Sequence, residues 1–187
     1  APISARYPLV EAGTALLFVA VALRFAGTPA VLPVLLYLAA ISVALALIDI
    51  DVHRLPDAIV LPSYAVVGAG LVAASAVTGS WTALPRAAIG AAALFAFYFL
   101  LMVIRPGGMG FGDVKLAGVL GACLGWFGWG ALVVGAFSAF LLGGIFSIAL
   151  ILGGRAGRRS GIPFGPWVIL GSWVGLAAGE ALWSAYL

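Results

Sequence analysis

Residues 30–48 read AVLPVLLYLAAISVALALI, a run without a single charged side chain, and Asp49 follows it directly. About 20 predominantly apolar residues are what a helix needs to cross the hydrocarbon core of a bilayer. The whole chain has this character: 65% of its 187 residues are hydrophobic and 8% are charged. A soluble domain averages about 45–50% apolar and about 25% charged residues. The composition therefore excludes a water-soluble globule and a disordered chain, and it predicts a membrane protein.

Similar apolar runs recur along the chain and predict an all-α, polytopic membrane protein with about seven spanning helices. We place the spans at 9–26, 30–48, 58–78, 87–104, 114–127, 131–152 and 166–186. The fifth and sixth could form one bent segment, because only Gly128-Trp129-Gly130 separates them. Two spans are favoured because one helix over 114–152 would be about 58 Å long, against a bilayer core of about 30 Å. Since no internal repeat or separate soluble region is visible, residues 1–187 are expected to form one transmembrane domain.

The distribution of cationic residues predicts which side of the membrane each loop faces. With seven spans, the loops on one side carry Arg6, Arg54, Arg105, Lys115, Arg155, Arg158 and Arg159. The loops on the other side carry only Arg24 and Arg86. Because Lys and Arg accumulate in cytoplasmic loops, the first side is predicted to be cytoplasmic. This spread over loops also explains the net charge of +3 without nucleic-acid binding, which we do not expect.

Four of the six acidic residues fall in two short stretches that this topology places at the same predicted cytoplasmic face. The stretches are Asp49-Ile50-Asp51-Val52-His53-Arg54-Leu55-Pro56-Asp57 and Gly107-Gly108-Met109-Gly110-Phe111-Gly112-Asp113. Asp49 is expected at or just inside the membrane boundary, and carboxylates within membrane segments are usually functional. A solvated loop remains the alternative for the later acids of the first stretch. An N-terminal helix cap remains the alternative for Asp113.

Two acids on one membrane face suggest an aspartic dyad formed by Asp49 and Asp113. If the two carboxyl groups are close, like-charge repulsion raises one pKa, and the pair shares a proton near neutral pH. The ionised member can take a proton from water while the protonated member donates to a substrate carbonyl. This chemistry needs no metal and no cofactor, and one His with one Cys cannot supply a four-ligand zinc site.

Four motifs, taken in order, resemble the bacterial type IV prepilin peptidases, which are GxGD-type intramembrane aspartic proteases. They are Pro2-Ile3-Ser4-Ala5-Arg6-Tyr7-Pro8-Leu9-Val10-Glu11, Asp49 with Leu55-Pro56-Asp57 followed by Leu61-Pro62, Gly110-Phe111-Gly112-Asp113, and Ile162-Pro163-Phe164-Gly165-Pro166. The resemblance implies that Asp49 and Asp113 are the catalytic pair. The positions it marks as supporting are Asp51, Asp57, Gly110, Gly112 and Lys115.

The resemblance implies removal of a short basic leader from type IV prepilins and from the pseudopilins of type II secretion. Cleavage would follow a glycine, at the cytoplasmic side of the bacterial inner membrane, with the substrate's apolar segment remaining in lipid. No cofactor is expected for this step. The apolar residues expected to line the cleft are Leu55, Pro56, Met109 and Phe111.

The sequence departs from the family in one respect. Full-length members carry an earlier membrane span and a cytoplasmic region with paired cysteines, which is associated with metal binding. That region is also associated with methylation of the new N-terminus by S-adenosylmethionine. It is not in this sequence, which begins at Ala1 and is either trimmed or a naturally short form. The resemblance therefore supports the peptidase reaction and gives no support for methylation.

Two other classes remain open from the residues alone. A proton- or cation-coupled transporter could use the same two carboxylates as its ion site. Transporters more typically show inverted repeats and helices broken at the bilayer midplane, whereas both acids here map to one face. The second alternative is a non-catalytic scaffold of a secretion complex, in which the acids only cap helices.

Overall fold

The computed structural model describes residues 6–105, 108–153 and 163–186. In these ranges the backbone forms helices and no strands. The helices are α1 (Arg6–Arg24), α2 (Leu32–Val52), α3 (Asp57–Thr78), α4 (Ala83–Ile104), α5 (Phe111–Phe127), α6 (Trp129–Leu152) and α7 (Gly165–Tyr186). All except α5 are long and apolar enough to cross a membrane. The polytopic, all-α architecture predicted from composition is therefore confirmed.

The helices beside the two acidic stretches extend past the apolar runs from which the membrane spans were predicted. Helix α2 continues to Val52, so that Asp49 lies in its last turns. Its C-cap is His53, which has a left-handed backbone (φ 52°, ψ 38°) and donates its N–H to the Asp49 carbonyl. Helix α5 begins at Phe111, so Asp113 lies inside its first turn. The bounds of the membrane spans themselves stay a prediction.

Helix α5 lies at the centre of the bundle and packs against α3, α4, α6 and α7. Twelve of its 17 residues are buried, although it is the shortest of the described helices. Small residues allow this close packing: a Cβ on Gly90 of α4 would lie 3.1 Å from the Cα of Gly125. Backbone contact of this kind is typical of helices that associate in lipid. Because α5 lies at the centre of the bundle, Asp113 in its first turn is buried inside the protein.

A break at Gly128 separates α5 from α6, which decides between two helices and one bent segment in favour of two. The Arg86 guanidinium donates to the carbonyls of Gly125 and Trp126, each at 2.6 Å, at the end of α5. The Glu180 carboxylate accepts the Ala131 N–H at 3.1 Å, in the first turn of α6. A cation at a helix C-terminus and an anion at a helix N-terminus both complement the helix dipole. These two charges therefore stabilise the break.

Several residues on which the predicted orientation and the family motifs depend lie outside the described part of the chain. They are Arg155, Arg158 and Arg159, the side chain of Arg6, and residues 2–5 and 162 of the motifs. Arg54 and Arg105 lie with Lys115 at the end of the bundle where α2 and α4 end and α5 begins. The assignment of that end to the cytoplasm stays a prediction.

The close contact between α6 and α7 predicts that alanine substitutions at two glycines will differ in their effect on the stability of the protein. A Cβ on Gly175 of α7 would lie 2.6 Å from the Cα of Gly135, so neither backbone can yield easily. We expect Gly175→Ala to destabilise the protein by about 1–3 kcal/mol, the usual cost of overpacking. The matched control is Gly144→Ala on α6, where a Cβ would meet nothing within 4 Å. Thermal unfolding in detergent measures both, and equal melting temperatures for the two variants would contradict the packing.

Candidate active site

Asp113 is held by the turn that begins α5. Its Oδ2 accepts the backbone N–H of Gly110 at 3.0 Å, and its own N–H donates to the Gly110 carbonyl at 3.1 Å. The residue is 6% exposed. Its Oδ1 is buried without a hydrogen-bond partner among the described residues. Half of the carboxyl group therefore caps the helix, and the other half is left to interact with something else.

Asp49 is held by the start of α7. The residue is 4% exposed, and its Oδ2 accepts the backbone N–H of Gly165 at 3.1 Å. Gly165 is the first residue of α7, and the N-terminus of a helix favours a negative charge beside it. This arrangement stabilises the ionised form of the Asp49 carboxyl group.

The two carboxyl groups meet over the backbone of Gly165. A Cβ built on this glycine would lie 2.7 Å from Asp49 Oδ2 and 3.2 Å from Asp113 Oδ1. Both oxygens therefore lie close to one point beside the Gly165 Cα, and we call the space between the two carboxyl groups, which the cavity reaches, the dyad gap. The structure thus brings together the two aspartates that the sequence singled out. Their catalytic role stays a prediction.

The electrostatics of the pair differ between its two members. Burial, and secondarily the neighbouring charge of Asp49, raise the pKa of Asp113 to about 7, while the hydrogen bond from Gly110 opposes this shift. Asp113 lies outside the six membrane-length helices. Because its pKa is raised, Asp113 is mainly protonated below pH of about 7 and loses its proton above it. Near neutral pH the Asp113 carboxyl group therefore still carries a proton part of the time.

A cavity of about 550 Å³ opens onto the two aspartates. Its size is within the usual range of about 300–1,000 Å³ for ligand sites. Its apolar lining includes three of the four residues predicted for the cleft: Leu55, Met109 and Phe111. The fourth, Pro56, is not among the lining residues, and the cavity instead includes Pro163 and Phe164 from the approach to α7.

The three predicted supporting residues with charged side chains, Asp51, Asp57 and Lys115, lie around the site rather than in it. Lys115 and Asp57 form an ion pair at 2.5 Å that joins the first turns of α5 and α3. Neither lines the cavity. Asp51 is exposed on α2 and does not line it either.

The two motif glycines touch the site directly. Gly110 donates its N–H to Asp113. Gly112 allows a close approach, since a Cβ there would lie 2.8 Å from the Leu55 Cβ. The glycines therefore connect the loop before α3 with the start of α5, although their contribution to activity stays a prediction.

Sequence reasoning missed the position of Gly165 beside both carboxyl groups. The residue was noted only as part of the motif Ile162-Pro163-Phe164-Gly165-Pro166. Tyr98 was also missed: it is 1% exposed on α4, and its ring centroid lies 6.1 Å from that of Phe164. The signal in the sequence is the tripeptide Phe164-Gly165-Pro166, in which the glycine precedes a proline of the type that begins helices.

Comparisons with known proteins show which family the chain is similar to. The profile of the type IV leader peptidase family matches residues 36–148. A prepilin leader peptidase/N-methyltransferase of Aeromonas hydrophila is 40% identical, over 100% of this chain and 63% of that protein. The proteins of that name from Pseudomonas putida and Bacillus subtilis are 37% and 31% identical, over 98% and 99% of this chain and 62% and 71% of their own lengths. The chain thus spans less than two thirds of the first two relatives. No solved structure matches it.

The raised pKa of Asp113 is open to direct measurement. In protein labelled with ¹³C-aspartate, we expect a carboxylic acid C=O band that disappears as the pH rises through about 7. The band should be missing in Asp113→Asn, which assigns it. In Asp49→Asn its midpoint should move to lower pH, because a charge that raises the Asp113 pKa has been removed. A band that titrates only in the acid range of exposed carboxyl groups would contradict the electrostatics.

Proposed function

The chain belongs to the type IV leader peptidase family, and on that basis we propose that it is a membrane aspartic endopeptidase. Its substrates would be type IV prepilins and type II secretion pseudopilins, from which it removes the basic leader. The observation that carries the proposal is the meeting of Asp49 and Asp113 at the dyad gap. The proposal concerns the peptidase reaction only.

The geometry supports different roles for the two acids. Asp49 accepts an N–H at the start of a helix, which favours its ionised form, and in the proposed reaction it acts as the general base. Asp113 has a raised pKa, and its Oδ1 accepts no hydrogen bond from the described residues, so it is suited to carry the shared proton. Such a division of roles between two carboxyl groups follows from their environments.

In the proposed reaction, a water molecule in the dyad gap attacks the carbonyl carbon of the scissile peptide bond. Asp49 takes one proton from the water as the new C–O bond forms. Asp113 gives its proton to the carbonyl oxygen, which produces a neutral tetrahedral diol. Collapse of the diol then breaks the C–N bond, with proton transfer from Asp49 to the leaving nitrogen and from the diol back to Asp113. The pair thereby returns to its starting protonation state.

The alternatives fit the site less well. A transporter is not supported, because the family is one of leader peptidases. Both acids also lie near the ends of helices rather than at their middles. A scaffold would use the acids as caps, yet only one Asp113 oxygen caps α5. Burial of its other oxygen without a partner costs free energy, which a purely structural acid would have no reason to retain.

For location, the proposal places the protein in the bacterial inner membrane with the cavity facing the cytoplasm. The support is the excess of Lys and Arg in the loops at the cavity end. The apolar segment of the prepilin would remain in the bilayer beside the bundle.

The first test is prepilin cleavage by isosteric variants. We expect Asp49→Asn and Asp113→Asn each to slow cleavage at least about 100-fold, since each removes a general acid–base group. The matched control is Asp51→Asn, two residues from Asp49 but outside the cavity, which should cleave at close to the wild-type rate. Conversion of a full-length prepilin to its mature form is followed on gels, with monodisperse elution in detergent as the folding check. Normal processing by both dyad variants would overturn the proposal, and an ion flux lost in the same variants would favour a transporter.

The second test is the pH dependence of cleavage. Because the pKa of Asp113 is raised to about 7, the proton it must donate is present below that pH and lost above it. We therefore expect the cleavage rate to fall as the pH rises from neutral to alkaline. Asp51→Asn should show the same profile as the wild type. A rate that stays constant across this range would exclude the shared-proton mechanism.

A further inference from the structure

We propose that Gly165 is a positioning residue for this reaction: its missing side chain lets the Asp49 and Asp113 carboxyl groups lie together beside the start of α7, and its N–H orients Asp49. The inference rests on the proposed function and extends it to a residue outside the acidic stretches. Gly165 is buried at the first position of α7.

A side chain at position 165 would crowd both carboxyl groups. A Cβ there would lie 2.7 Å from Asp49 Oδ2 and 3.2 Å from Asp113 Oδ1. The first distance is shorter than the closest approach of a carbon atom to an oxygen atom that is not bonded to it, so the Asp49 carboxyl group would have to move. Glycine therefore allows both carboxyl groups to lie directly beside the backbone at the start of α7.

The backbone around Gly165 is held firmly in place. The Phe164 carbonyl accepts the N–H groups of Trp167 and Val168 at 3.0 and 3.2 Å, which forms the first turn of α7. The Phe164 ring packs against Phe140 with centroids 5.3 Å apart. Because α7 is anchored at both Phe164 and Val168, a side chain at position 165 would displace the carboxyl groups rather than the helix.

The surroundings of Gly165 differ from those of the glycines that only allow helix packing. At Gly171 and Gly175 the nearest atoms to a built Cβ are mainly backbone atoms of α6. At Gly165 the nearest atoms all belong to the side chains of Asp49 and Asp113. The cost of a methyl group at Gly165 should therefore come from the two carboxyl groups and should disappear when they are removed.

The test is steady-state cleavage of a prepilin by Gly165→Ala. We expect kcat to fall about 100-fold, the scale of a misplacement of about 1 Å at a reacting group. KM should stay within about twofold, because the cavity walls that would bind the leader are unchanged. The matched control is Gly144→Ala, at a position where a Cβ has open space. Cleavage by Gly165→Ala at the wild-type rate, while Asp49→Asn is inactive, would overturn this inference and leave the proposed function intact. A wild-type protein that cleaves no prepilin would overturn both.

A thermal stability cycle tests the same inference without any substrate. Gly165→Ala is introduced into the wild type and into Asp49→Ala, and the melting temperatures of the four proteins are compared in detergent. We expect Gly165→Ala to lower the melting temperature of the wild type and to have little effect once the Asp49 carboxyl group is absent. This nonadditivity is what direct contact produces. An equal loss in both backgrounds would mean that Gly165 serves helix packing alone, and it would overturn the inference.

Discussion

A carboxyl group removed from water must receive hydrogen bonds or keep its proton, and this constraint governs the site. Each of the two buried aspartates accepts one hydrogen bond from the backbone N–H of a glycine. Gly110 serves Asp113 and Gly165 serves Asp49. The oxygens that border the dyad gap come from both acids, where a single proton and a single water molecule can be shared. The different surroundings of the two groups decide which of them is ionised.

The rest of the fold brings three helix ends to one point. Asp49 comes from the last turns of α2, Asp113 from the first turn of α5, and Gly165 from the start of α7. Glycine-mediated contacts of α5 with α4, and of α7 with α6, set how closely these ends approach. At the opposite end of α5, Arg86 satisfies the final carbonyls. The glycine-rich composition is therefore a requirement of the site as well as of packing in lipid.

The sequence predicted the helices and the shared location of the acids, because apolar runs and the alternation of loops are local features of the chain. It did not predict how far α2 and α5 continue beyond the apolar runs, because the backbone hydrogen bonds of a helix can extend past a charged residue such as Asp49 or Asp113. It also missed the role of Gly165. The contact between residues 49 and 165 depends on how distant helices pack, and no local pattern in one sequence contains that information.

The central claim is that the side chains at positions 49 and 113 reach one common point. It is tested most directly by thiols in a Cys123→Ser background, with Asp49→Cys and Asp113→Cys combined. A soft cation such as Hg²⁺ binds thiolates strongly, and X-ray absorption reports how many sulfur atoms coordinate each ion. We predict one Hg²⁺ ion per protein molecule, coordinated by both sulfur atoms. No ion should be shared in this way when Asp51→Cys replaces Asp49→Cys. Separate ions on the thiols at positions 49 and 113, each with one sulfur ligand from the protein, would contradict the account.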